Sequence, residues 1–111
     1  MPNNIYSIDE LRQLIRPIAE KYKIPRVYVF GSYARGEATE ESDVDIIVDL
    51  TGAEMNFPFA IGALYNDFED SLKKKIDLVT ERSLHQSTDL ESSLIFRENV
   101  FRERREVYGT I

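Results

Sequence analysis

Three aspartates set into apolar runs are the residues of this chain whose types and spacing best suit chemistry. Asp43 and Asp45 open the run that continues to Leu50, and Asp77 lies within Ile76-Asp77-Leu78-Val79-Thr80. Strands are depleted in aspartate, so an apolar strand that keeps two of them needs a reason. Residues two apart on a strand share a face, which sets the Cβ atoms of Asp43 and Asp45 about 6.5 Å apart. Carboxylates at that spacing can converge on a pair of hard cations about 3.5 to 4 Å apart, an arrangement that serves in-line phosphoryl displacement. Without a cation, the like charges repel. Upstream, Val27-Tyr28-Val29-Phe30 reads as a buried strand broken by Gly31-Ser32. Free backbone N–H groups, a hydroxyl and the positive end of a helical turn suit phosphate oxygens there. Arg35 is placed either to contact phosphates or to pair with a carboxylate that holds the loop. Asp49, on the same face as Asp45, reads as a strand-end or surface residue.

The elements that must position these groups are legible in order. Ser7-Ile8-Asp9-Glu10 has the form of a capping box, and Ile8, Leu11, Ile15, Ile18 and Tyr22 follow as one apolar stripe. Pro17 sits inside that stripe and predicts a kink or a restart. Strands are predicted at Val27 to Phe30, Val44 to Leu50 and Ile76 to Thr80, with a short helical turn and loop from Tyr33 to Glu41. Asn56 and Pro58 read as an N-cap and an early helical proline, opening a helix of some four turns. That helix carries Phe57, Ile61, Leu64, Tyr65, Phe68 and Leu72 and ends at Lys73-Lys74-Lys75, a solvated helix end. A strand, a helix of this length and a strand make a crossover unit, which favours neighbouring strands. If they are neighbours, Asp77 can sit across from Asp45. From Asp89 the chain reads as helix again, with Leu90, Leu94, Phe101 and Tyr108 on one face, Val100 and Val107 beside them and Gly109 as the stop. Its alternating Arg and Glu residues suit a solvated face. His85, the only histidine, lies in a polar loop and is assigned no role.

Taken together, Gly31-Ser32, Gly36 and Ser42-Asp43-x-Asp45 resemble the glycine-serine and paired-aspartate signature of the nucleotidyltransferase superfamily that includes DNA polymerase beta. The fuller string, GSYARG with SDVD beginning six positions after Gly36, is similar to the minimal nucleotidyltransferase (MNT) domains paired with HEPN toxins. The resemblance implies an α+β nucleotidyltransferase fold: a small mixed sheet of at least three strands flanked by helices, with residues 1–111 as one minimal domain. It implies that Asp43 and Asp45 hold two Mg²⁺ ions, and that Asp77 completes the metal site and helps deprotonate an incoming hydroxyl. Gly31 and Ser32 would grip the β- and γ-phosphates of ATP, with Arg35, Gly36 and Ser42 completing the nucleotide-binding signature. The implied partner is a HEPN toxin, or another small helical protein, silenced by transfer of AMP to a tyrosine. Two other readings stand beside this one: a module that neutralises its partner by docking alone, and a transferase for a small molecule such as an aminoglycoside.

Composition narrows the field further. A length of 111 residues suits one core, and 42% hydrophobic with 31% charged residues is ordinary for a globular chain. The formal charge of −6 argues against nucleic acid as a direct ligand, since phosphate neutralisation needs a basic face. No apolar run approaches the roughly 20 residues of a membrane span, and the N-terminus lacks the layout of a signal peptide. A cytoplasmic location is the expectation. Absence of cysteine removes disulfides, thiolate zinc sites and thiol catalysis.

Overall fold

The computed structural model of the protein describes residues 5–85 and 91–110, with the side chains of 91–96 outside that description. The elements run α1 (Ile8–Tyr22), β1 (Arg26–Phe30), α2 (Gly31–Arg35), β2 (Val44–Asp49), α3 (Ala60–Leu72), β3 (Ile76–Thr80), α4 (Glu81–Leu84), α5 (Glu91–Glu103) and β4 (Arg105–Gly109). The strands form one mixed sheet in the order β3-β2-β1-β4. β1 is antiparallel to β2 and to β4, while β2 and β3 are parallel and joined through α3. Only a crossover can join neighbouring parallel strands, and the thirteen residues of α3 supply it. The fold is therefore α+β with helices flanking a small mixed sheet.

The first helix starts where the capping box places it. Glu10 N donates to Ser7 Oγ at 3.0 Å, and Ser7 N donates to Glu10 Oε1 at 2.8 Å. The helix runs through Pro17 as a single element rather than restarting. It ends at Lys23, whose left-handed backbone turns its N–H back onto the carbonyls of Ala19 and Glu20. Leu11, Ile15 and Ala19 of α1 meet Leu64, Phe68 and Leu72 of α3 over the sheet face formed by Val27, Val29, Val44, Ile46 and Val48. Tyr22 Oη donates to Asp67 Oδ2 at 2.6 Å and Lys21 Nζ lies 3.0 Å from the same oxygen, which ties the two helices at their solvent edge. The opposite sheet face is thinner, with Phe30, Ile47, Leu84 and Val100 as its buried cluster.

Three expectations need correction. Residues 105–109 are the strand β4 and not the end of a helix: α5 stops at Glu103, and Val107 packs into the main core. Val100, Phe101, Val107 and Tyr108 fit a helical stripe, but β1 has an open edge there, and its backbone groups pair with Arg105, Glu106, Tyr108 and Gly109. Leu90 and the side chain of Leu94, placed on that stripe, lie outside the described residues. The third helix begins at Ala60 rather than at Asn56, because Phe59 has φ 60° and a helix cannot propagate through a left-handed residue. Finally, α4 occupies part of what reads as a polar loop, with Thr80 Oγ1 accepting from Ser83 N at 3.2 Å. His85 caps this short helix and lies 2.8 Å from Glu81.

Candidate active site

Alternation along β2 divides its side chains between two environments. Val44, Ile46 and Val48 are fully buried beneath α1 and α3, whereas Asp45, Ile47 and Asp49 point to the thinner face. The register then decides what Asp45 meets. On one side it pairs with Asp77 of β3, and on the other with Phe30, the last residue of β1. The chain leaves β1 through Gly31, so the turn into α2 starts beside the Asp45 carboxylate. Two constraints require glycine at that position. Its φ is +69°, and a Cβ would lie 2.3 Å from Asp45 Oδ2.

Asp45 and Asp77 are register partners on neighbouring parallel strands and line one cavity. Asp45 is pushed up from the usual carboxylate value to about 6, first by burial, then by the charges of Asp77 and Asp43, with Arg35 acting in the opposite direction. Asp43 itself is exposed. A cavity of about 330 Å³ opens here, lined by Phe30, Gly31, Arg35, Asp45, Asp77, Val100 and Glu103. A larger one, about 490 Å³, lies at the opposite end of β2 and β3 beside Asp49, Thr80 and His85. The smaller cavity is the candidate site, because Asp45 and Asp77 face each other across the parallel register there, beside Gly31.

The structure brings Gly31, Arg35, Asp45 and Asp77 to this cavity and leaves the other signature residues around it. Ser32 follows Gly31 in α2, and its carbonyl accepts from Glu37 N at 2.9 Å. Gly36 ends α2 with φ 74°. Ser42 Oγ accepts from Thr39 N at 2.8 Å, shaping the loop that delivers Asp43 to the start of β2. Lys74 is not merely a solvated helix end: its Nζ donates to Glu40 O at 2.6 Å and pins the same loop. Arg35 Nε donates to Glu37 Oε1 at 2.9 Å, and its Nη1 lies 3.4 Å from Glu103 Oε2. Those bonds, Glu37's first, raise the Arg35 pKa above its ordinary value. Glu103 was not foreseen at the site, since alternating charges near the C-terminus read as a solvated helix face.

Among the described residues, no three carboxylate, imidazole or thiol groups converge closely enough to form a ready metal cage. The donor set still fits Mg²⁺, since the converging groups are hard carboxylate oxygens and their mutual repulsion is what a divalent cation relieves. A carboxylate pair, Asp45 half-buried and Asp77 exposed, beside a glycine turn and an arginine on the thinner face of a mixed sheet has the make-up of a phosphoryl-transfer site.

Comparison with known proteins places the chain more closely. The family described as "Nucleotidyltransferase domain" matches residues 11–105, and the chain belongs to that family and is a nucleotidyltransferase. A Methanocaldococcus jannaschii protein named "Putative protein adenylyltransferase MJ1379" is 36% identical over 99 residues, covering 81% of this chain and 97% of the relative. Protein adenylyltransferase MntA of Thermococcus cleftensis is 31% identical over 99 residues, covering 86% of this chain and 95% of its own. Among solved structures, a mutant of the toxin-antitoxin MntA-HpeT aligns with a TM-score of 0.59 and 25% identity, covering 95% of this chain and 74% of that one.

Proposed function

We propose that the protein is a Mg²⁺-dependent adenylyltransferase that moves AMP from ATP to a hydroxyl of a protein, and that it acts as the antitoxin of a HEPN-type toxin by modifying a tyrosine. The observation that carries this reading is the register pairing of Asp45 with Asp77 opposite Gly31, in one cavity with Arg35. The relatives' names, protein adenylyltransferase and toxin-antitoxin, support the acceptor class.

In this reading Asp43, Asp45 and Asp77 would hold two Mg²⁺ ions, which when bound would neutralise charge on the triphosphate and lower the pKa of the attacking hydroxyl. Gly31 presents a backbone without a Cβ beside Asp45, so phosphate oxygens can approach the start of α2. Ser32 contributes the hydroxyl next to it, and Arg35 the nearest cation. Gly36 and Ser42 hold the ends of the loop that fixes Asp43. Asp77 accepts the proton of the acceptor hydroxyl. The acceptor oxygen forms a bond to the α-phosphorus, the bond from that phosphorus to the bridging oxygen breaks, and pyrophosphate leaves.

The test is incubation of the purified protein with Mg²⁺ and α-labelled ATP, with and without the product of the adjacent gene, followed by intact mass of both chains. AMP added to the partner, and lost in Asp43→Ala, is the expected result. A tight complex with no mass gain would instead favour neutralisation by docking alone.

A further inference from the structure

We infer that Glu103 is a positioning residue for the nucleotide: it holds Arg35 across the mouth of the cavity and competes with the incoming phosphates for the guanidinium. The inference rests on the nucleotide site proposed above and names a residue that the signature does not contain. Glu103 ends α5, 68 residues along the chain from Arg35, and it lines the same cavity as Gly31, Asp45 and Asp77. Its contact with Arg35 is therefore tertiary, joining the turn after β1 to the last turn of α5. Glu37, by contrast, is two residues from Arg35 and moves with it.

Geometry ranks the two partners. The Arg35–Glu37 contact is 2.9 Å, and the Arg35–Glu103 contact is 3.4 Å between side chains that are 42% and 38% exposed. A long pair at that exposure changes an equilibrium constant by about two- to fivefold. Phosphate oxygens accept from a guanidinium fork in two parallel bonds, which are shorter and stronger. A triphosphate entering beside Gly31 therefore displaces Glu103 from Arg35 and leaves Glu37 in place. The same carboxylate also adds a negative charge to a cavity already holding Asp45 and Asp77. Glu103 thus lowers the affinity of the free protein for nucleotide, and nucleotide binding releases the end of α5.

The experiment is calorimetric titration of the purified full chain, in Mg²⁺ buffer, with a non-hydrolysable ATP analogue. Variants Glu103→Gln, Glu103→Ala, Arg35→Ala and the double variant Arg35→Ala with Glu103→Ala are compared with wild type. Glu103→Ala is expected to tighten binding by about two- to fivefold, with Glu103→Gln between it and wild type, since Gln keeps the hydrogen bond and loses the charge. In the Arg35→Ala background the gain should fall by at least half, because the competition acts through the guanidinium. Unchanged or weaker binding in both Glu103 variants overturns the inference alone, as does an equal gain with and without Arg35. A wild-type chain that binds no analogue overturns the nucleotide site itself, and this inference with it.

Discussion

The two faces of β2 are built from one strand and lead opposite lives. Val44, Ile46 and Val48 face α1 and α3, where they are fully buried in the main hydrophobic core with Leu11, Ile15, Leu64 and Phe68. Asp45 lies between two of these valine and isoleucine positions, yet meets Asp77, the Gly31 turn and the field of Arg35. The first face draws its free energy from area removed from water, about 25 cal/mol per Å² of apolar surface. On the second, like charges crowd each other and Asp45 is pushed up to about 6. Stability and chemistry are thus separated by the 180° alternation of a strand. The layer of α1 and α3 covers one side of the sheet, while the smaller cluster of Phe30, Ile47, Leu84 and Val100 on the other leaves the cavity beside Asp45 open.

The largest effect that would sharpen this separation is on turnover. Asp45→Asn is expected to reduce Mg²⁺-dependent AMP transfer by about 10³- to 10⁴-fold, the several kcal/mol that a metal site contributes to charge stabilisation. Its metal-free melting midpoint at neutral pH should stay level or rise, because the substitution removes a repelled charge. A variant that transfers at the wild-type rate, or that unfolds, would break the comparison. Phe68→Ala should do the reverse. Phe68 is fully buried in the core between α1, α3 and the sheet. Its truncation should cost about 3–5 kcal/mol in urea unfolding while the folded fraction retains transfer activity. Such a loss is a large share of the roughly 5–15 kcal/mol that holds a domain together.

Gly31→Ala tests the seam where β1 hands the chain to the site. The new Cβ meets Asp45 Oδ2 at 2.3 Å and the residue must keep φ +69°. About 1–3 kcal/mol of destabilisation is expected in the same unfolding assay, less than for Phe68→Ala, together with loss of nucleotide binding by calorimetry. Gly36 offers the control. Its φ is also positive, at 74°, but a Cβ there would meet nothing within 4 Å, so Gly36→Ala should cost less than Gly31→Ala in the unfolding assay.

Much of the candidate site was legible because its residues are expensive where they stand. Aspartate in an apolar strand and a glycine between a strand and a helical turn both contradict local preference, and that contradiction survives without coordinates. The parallel pairing that brings Asp77 to Asp45 followed from the helix between their strands. Glu103 was hidden for the opposite reason. Glutamate among arginines is ordinary on a helix surface, and only the tertiary path of α5 brings it to Arg35. β4 was hidden because Val100, Phe101, Val107 and Tyr108 fall at spacings a helix also allows. The open edge of β1 was what settled it, and a sheet edge is not a property of the residues that fill it. The late start of α3 turns on Phe59, whose left-handed backbone no composition rule favours.

The smallest predicted effect returns to the stable side and to an aspartate that behaves unlike Asp45. Asp67 bridges α1 and α3, and its carboxyl is held below the usual range by the Tyr22 hydroxyl, against a smaller cost of burial and with help from Lys21. A depressed carboxylate binds fewer protons in the folded chain than in the unfolded one at mildly acid pH. Its contribution is therefore present above the ordinary carboxylate value near 3.8 and is lost as pH falls through its folded value. Asp67→Asn should lower the melting midpoint at pH 7 by the equivalent of about 1 kcal/mol, the upper end for a partly solvated pair. The deficit should close toward pH 3, where the wild-type carboxylate is also losing its charge. A gap that stays constant between pH 7 and pH 3 would mean that Asp67 holds the helices by shape and neutral hydrogen bonding alone. The charge of Asp67 would then add nothing to the joining of α1 and α3, and the contrast between the two sides of β2 would be sharper still.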